Sequence, residues 1–429
     1  MRLSILATAM AVALGGTSFA ASASEIDELK AQLAALQERI AELESRTDAQ
    51  SDVNVDTATA LDQIRTTSPK IETKGGIKVT SADGKFEAQV GGRIHFDAYA
   101  FDRDIANTTG TTEFRRTRLT LQGKALGWGY KLENDFADGT STGGFRDVYI
   151  SKGLLGGTLF IGQFKPYRSM EELTSSNEIT MMERPFASAT GIYSGRQFQQ
   201  GVGYLRSNNE NYSFGVSVFN LRSASGVRNE GAGANARLTF APINNDNGTL
   251  HFGVSASHEN ANKDTANFSA VANYAGRRGP SQTIAQLNGL SGDTVNTVGL
   301  EAAAGFGPLL VQSEYATSDW DLTVGGSQEV ETWYVQGSWM LTGEHRVYKT
   351  GTGVFGAPKL ADKGAWELTA RYDTIENKDI ANREATSWIV GLNYYFNPNV
   401  RLMFNYTKGE NEVTGDETGQ YAVRTQLSF

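Results

Sequence analysis

Tyr421-Ala-Val-Arg-Thr-Gln-Leu-Ser-Phe429 ends the chain, and its alternation decides the fold. Tyr421, Val423, Thr425, Leu427 and Phe429 share one face of a strand, and Ala422, Arg424, Gln426 and Ser428 share the other. In a soluble sandwich the apolar face would turn to a core. Here the pattern recurs along the chain, hydrophobic residues make up only 39%, and no helix-length apolar span follows the N-terminal segment. An oily outside with a polar inside is what a closed β-barrel in a bilayer requires, since each backbone N–H and C=O must be paired within the sheet.

Working outward from that strand, the same period of two appears upstream. Phe86, Ala88, Val90, Ile94, Phe96 and Ala98 oppose Glu87, Gln89, Arg93, His95 and Asp97. Trp333, Val335 and Trp339 alternate with Tyr334, Gln336 and Ser338, and Trp388, Val390, Leu392 and Tyr394 form a further face. About sixteen such strands fit between residues 86 and 429, an antiparallel transmembrane barrel over 75–429. An even count puts both barrel ends on the periplasmic side. Leu154-Leu-Gly-Gly157, Gly307-Pro308 and Asn397-Pro-Asn399 read as periplasmic turns, and 259–294 as an outer loop. Residues 342–363 are long yet fall on the turn side, so either the count slips there or the turn carries an insertion. The connection 165–195 holds Met170, Leu173, Ile179, Met181 and Met182, which are wasteful in water; it is expected to fold into the barrel.

Ahead of the barrel, residues 1–23 read as a secretory signal peptide: Arg2, an apolar run too short to span, then the small-residue cleavage site Ala21-Ser-Ala23. Residues 24–46 read as a coiled-coil helix in the periplasm. Ile26, Leu29, Leu33, Leu36, Ile40 and Leu43 alternate spacings of three and four, with Glu25 and Lys30, and Arg39 and Glu44, as opposite-sign flanking pairs. Ile at a with Leu at d leans towards two strands, a preference that the barrel interface would have to override in a trimer. Residues 47–74, polar and poor in aromatics, read as a linker.

Composition narrows the function. With Cys 0 there is neither a disulfide framework nor a thiolate metal site, and a net charge of −9 argues against a nucleic-acid partner. His95, His251, His258 and His345 are scattered, and no nucleophile elbow, zinc helix or phosphate loop occurs, so neither an enzyme, a metal nor a cofactor is expected.

Several ordered motifs then carry a resemblance: Thr73-Lys-Gly-Gly76, Gly91-Gly-Arg93, Phe114-Arg-Arg116, Thr174-Ser-Ser176 with Glu183-Arg184, Leu341-Thr-Gly-Glu344 and Gly364-Ala-Trp-Glu-Leu368. From about residue 72 onward the chain resembles the phosphate-selective porin O and P family. The resemblance implies a bacterial outer-membrane barrel of sixteen strands, assembled as a homotrimer among membrane lipid and lipopolysaccharide, passing small hydrophilic or anionic solutes through an arginine-lined constriction. It maps that anion path onto Arg93, Arg115 and Arg116, with Lys74 at the periplasmic mouth. Parity independently turns Arg93 and Arg116 inward; Arg115 has the wrong parity and needs a bulge or a rim position. Where the family carries two lysines on its inward loop, this chain has Glu172 and Asn177, which should weaken anion attraction. The reading is therefore a passive porin for small hydrophilic solutes, with a modest anion bias at most. The alternative is a structural protein tethering the outer membrane to periplasmic partners through the coiled coil.

Overall fold

The computed structural model describes residues 23–73, 76–137, 144–189, 192, 197–222, 229–261, 269–287, 292–360 and 364–429. They divide into a helical unit ending at Ser68 and a barrel unit beginning at Pro69.

The first unit is one helix, α1 (Ala23–Thr67), 45 residues long with no buried side chain. The expected linker thus corrects to helix through Thr67. The reason lies in the heptad, whose phase is unbroken beyond Leu43. Thr47, Gln50, Asn54 and Thr57 occupy the seam positions next, and Leu61 and Ile64 return it to apolar residues. A polar seam reads as a linker in sequence, yet its helix is continuous. Thr47 and Thr59 hydroxyls donate to carbonyls four residues back, and Gln50 Nε2 donates to Asn54 Oδ1. All eight apolar seam residues, from Ile26 to Ile64, are exposed.

In the second unit the strands run β1 (Lys70–Glu72), β2 (Ile77–Thr80), β3 (Phe86–Asp102), β4 (Thr111–Ala125), β5 (Trp128–Asp135), β6 (Phe145–Leu154) and β7 (Gly157–Phe164). Two short helices, α2 (Met170–Leu173) and α3 (Phe186–Ala189), precede β8 (Gln199–Ser207), β9 (Tyr212–Arg222), β10 (Asn229–Asn245) and β11 (Gly248–Ala261). Then come β12 (Ser269–Ala272), β13 (Gln282–Gln286), β14 (Thr294–Phe306), β15 (Leu309–Leu322) and β16 (Gly326–Met340). The series ends with β17 (Arg346–Lys349), β18 (Val354–Pro358), β19 (Ala365–Asn377), β20 (Glu384–Asn397), β21 (Val400–Asn411) and β22 (Gly419–Ser428).

Eighteen of these form one antiparallel sheet; β1 and β2 lie on its edge and the remaining sixteen close. Closure joins the quoted terminal strand to β3, from Gly419 opposite Asp102 to Ser428 opposite Arg93. Below the end of β22, the β2 strand takes over the same edge of β3, so that edge stays covered. Phe429 N–H donates to Gly92 O and Gly92 N–H to Phe429 O. A Cβ on Gly92 would stand 2.7 Å from the Phe429 ring and 2.6 Å from Arg118 O, so only glycine lets the seam shut here.

Alternation sorts the wall as read. On β22 Tyr421 and Val423 are exposed outward and Arg424 is fully buried inward. Two aromatic clusters ring the outside at different heights. Trp333, Tyr372 and Trp388 meet at tilted ring contacts of 5.2 and 4.5 Å, and Trp366, Tyr394 and Phe396 at 4.6 and 4.7 Å, the last edge-on. Tyr372 and Trp366 stand six residues apart on β19, about 20 Å along the strand, as interfacial girdles require.

Three segments fill the lumen. The connection between β7 and β8 crosses it. The hairpin β12–β13 enters from the loop end, where Ile284 packs in one buried cluster with Phe186, Trp320 and Ile375. The hairpin β17–β18 enters from the turn end, which identifies residues 342–363 as an insertion rather than a miscounted strand. Its Arg346 donates to both oxygens of Glu367 at 2.7 and 2.9 Å, and Arg237 donates to the carbonyls of Thr352 and Gly353.

Candidate permeation site

The segment between β7 and β8 is pinned to wall strands on several sides. Met170 and Glu171 N–H groups, opening α2, donate to the two oxygens of Glu314 at 3.0 and 2.8 Å. Met182 N–H donates to Asn405 Oδ1 at 2.8 Å and Phe186 N–H to Asp373 Oδ2 at 2.9 Å. In return, Arg401 donates to Ile179 O, Asn393 to Thr180 O and Arg424 to Met182 O. Met170, Ile179, Met181 and Met182 are buried by this crossing. Apolar side chains and exposed backbone polar groups are thereby satisfied together.

Among the described residues, two neighbouring cavities measure about 300 and 250 Å³. Both are lined by Arg118, Arg184 and Gln197, which mark a waist between them. The larger carries eight arginines against Glu172, Glu183 and Asp373. The smaller carries Arg93, Arg118, Arg184, Lys131 and Lys165 against Glu133 and Asp147.

A family model for phosphate-selective porins O and P matches residues 88–429. The chain belongs to that family. It is a bacterial outer-membrane porin. Porin O of Pseudomonas aeruginosa is 28% identical to it over 407 residues, 84% of this chain and 92% of that protein. An anion-selective porin from Comamonas acidovorans matches 80% of this chain and 100% of its own, at 13% identity and a TM-score of 0.56. OmpT with its L8 loop deleted, an outer membrane protein of Vibrio cholerae, matches the same shares at 13% identity and a TM-score of 0.53. These last two likenesses concern the fold alone.

Within this porin, the three arginines differ in their partners. Arg93 on β3 donates to Ser176 Oγ at 2.9 Å and to Glu133 Oε2 at 3.1 Å. Arg115 sits at a β-bulge: His95 pairs with Arg116 and Phe96 with Phe114, leaving Arg115 without a partner across the ladder. Freed from parity, it turns inward and forms a bidentate pair with Glu183 at 2.8 and 2.9 Å. Glu183 also accepts from Arg424 at 2.9 Å, while Arg424 is itself paired with both oxygens of Asp97. Burial pushes the Glu183 carboxyl up, but Arg115, Arg116 and Arg424 outweigh it and hold it well below the usual carboxylate range.

Arg116 has no such acid. Only 3% exposed, it approaches His95 Nδ1 at 3.4 Å, and its Nε–H meets no acceptor. His95 satisfies both neighbours as the Nε2–H tautomer, its Nδ1 facing Arg116 and its Nε2 donating to Asn177 Oδ1 at 3.0 Å. Asn177 is thus tied to the wall through His95. Glu172 is buried and accepts from Gln197 Nε2 at 3.2 Å. Lys74 lies outside the described residues.

Parity reasoning missed Arg184 and Lys165, since both stand on the inward segment. Arg184 donates to the carbonyls of Glu171 and Thr174, and Lys165 to that of Glu172. Among the described residues no carboxylate lies within ion-pair distance of Arg116, Arg184 or Lys165. The signal for Arg184 in the sequence is the Glu183-Arg184 motif.

Proposed function

We propose that this porin is a passive, anion-biased channel for small hydrophilic solutes, assembled as a homotrimer and without catalytic activity. The observation that carries this reading is unpaired positive charge at and beside the waist: Arg184 at the waist and Arg116 on the larger cavity keep guanidinium charge that no described carboxylate pairs. Guanidinium stays ionised at any relevant pH. In a narrow passage such fixed charge acts directly on the ion going through. The bias is modest, because Glu183 neutralises Arg115 and Asp97 neutralises Arg424. Chloride and small carboxylates fit this reading as well as phosphate does. Preference for phosphate is left out of it, as Glu172 and Asn177 stand where the family resemblance puts lysines. For assembly, the exposed heptad of α1 suits a parallel bundle of its own copies. The tethering alternative has no observation of its own.

Reversal potential across a planar bilayer under a KCl gradient tests the reading. The wild type should favour chloride. A unit charge about 6 Å from the permeating ion contributes about 0.7 kcal/mol in a water-like dielectric, favourable for chloride and unfavourable for potassium, so Arg116→Gln should lower the chloride-to-potassium ratio by up to about tenfold. A cation-selective wild type, an unchanged ratio in the variant, or a closed protein would refute it.

A further inference from the structure

Lumen-facing positions of a water-filled barrel are ordinarily polar. The smaller cavity departs from this. Tyr149 on β6 and Phe160 and Phe164 on β7 line it, while their neighbours Ile150 and Ile161 are exposed on the outer face. The row continues into Tyr167 and Phe198 on the inward segment. Ring centroids follow one another at 5.2 Å from Tyr149 to Phe160, 6.2 Å on to Phe164 and 6.0 Å on to Tyr167. An aromatic wall thus flanks the waist on its β6–β7 side.

Cations border the same cavity. Lys131 is matched by Asp147 at 2.6 Å and Arg118 by Glu133 at 2.9 Å. Arg93 has a buried Nε–H that meets no acceptor. Arg184 and Lys165 are held by carbonyl oxygens alone, and Lys165 Nζ lies 5.7 Å from the centroid of the Phe198 ring. Lining of this kind is half flat and apolar, half cationic. A compact hydrated anion such as phosphate or acetate uses only the second half.

We infer that this cavity is a binding station for small aromatic carboxylates, the ring lying against Phe160 and Tyr149 and the carboxylate meeting Arg184 and Lys165. Ring faces carry negative potential and ring edges positive, so a flat aromatic acid gains offset or edge-on contacts that an alkyl acid of equal size lacks. Asp147 and Glu133 on the same lining favour a monoanion over a dianion. A volume of about 250 Å³ accommodates one such molecule and keeps the station single.

The inference rests on the channel reading, and the experiment separates the two. Chloride current through the purified protein in a planar bilayer is titrated with benzoate, acetate and cyclohexanecarboxylate. Benzoate should block at a concentration at least tenfold below acetate, with cyclohexanecarboxylate in between. Equal block by benzoate and acetate, or by benzoate and cyclohexanecarboxylate, overturns the inference even without a variant. In Tyr149→Ser/Phe160→Ser the benzoate-to-acetate ratio should fall towards one, whereas Phe160→Tyr should retain it; a preference that survives the double substitution overturns the assignment. Chloride current with equal block removes this inference alone. Absence of current in every preparation removes the channel reading as well.

Discussion

Arg115 shows how far one residue can be read from sequence. Strict alternation turns its neighbour Arg116 inward and Arg115 towards lipid, where a guanidinium is costly. The two statements are compatible only if the strand gains a residue, and the bulge between the pairs His95–Arg116 and Phe96–Phe114 supplies it. The partner was not legible. Glu183 lies 68 positions away on a connection without period, and no spacing rule links the two. The pair makes a prediction. Removing the carboxylate leaves the partly buried Arg115 without its counter-charge, a loss of about 1 to 2 kcal/mol, below that of a fully buried pair. Glu183→Gln should therefore loosen the inward segment, seen as increased open-channel noise, and raise the anion bias by removing one negative charge. The acid response follows from the depressed Glu183 carboxyl. A group of that kind contributes its full stability above its unfolded value of about 4.3 and loses it only as pH falls through the lower folded value. Noise from this contact should stay unchanged from pH 7 to pH 5. Loosening within that window in the wild type, absent from Glu183→Gln, would contradict the assignment.

At the scale of elements, legibility followed the presence of a period. The wall strands alternate, so the count of about sixteen read from sequence matches the sixteen that close. The hairpin β17–β18 was met only as an over-long turn, because Arg346, Phe355 and their neighbours pack on one another and on lumen residues rather than on a lipid-facing stripe. Helix α1 is the opposite case, a period continued by residues that hide it. Its seam has six apolar positions from Ile26 to Leu43, four polar ones from Thr47 to Thr57, then Leu61 and Ile64. Each apolar side chain contributes about 1.5 kcal/mol or more when buried, so the first block supplies most of the association and the polar block fixes alignment. Leu36→Asp should abolish association through the helix, whereas Asn54→Asp should only weaken it. Cross-linking of the detergent-purified protein measures both. Equal loss in the two variants would place the association in the polar block instead.

Across the whole molecule, net charge and pore charge have opposite sign, and much of the net charge lies outside the barrel unit. Helix α1 holds ten acidic and four basic side chains, a net of −6 out of the chain total of −9. The barrel is itself net negative, −4 over residues 68–429, yet its waist is positive. This is why a total charge that excludes a nucleic-acid partner says nothing against an anion path. The two fields also differ in how salt treats them. Charges on an exposed helix are screened over a Debye length of about 10 Å at 0.1 M and about 3 Å at 1 M. Charges lining a narrow waist act at contact distance with little intervening electrolyte. If the waist decides, the chloride preference should shrink between 0.1 M and 1 M KCl but keep its sign, and removal of residues 23–67 should leave it unaltered. If the summed field decides, the preference at low salt should be for potassium and should fade once the helix is removed. Reversal potentials of the full chain and the truncated chain, taken at both concentrations, separate the two outcomes, because fixed charge inside the barrel, such as that of Arg116 and Arg184, gives one sign in all four measurements.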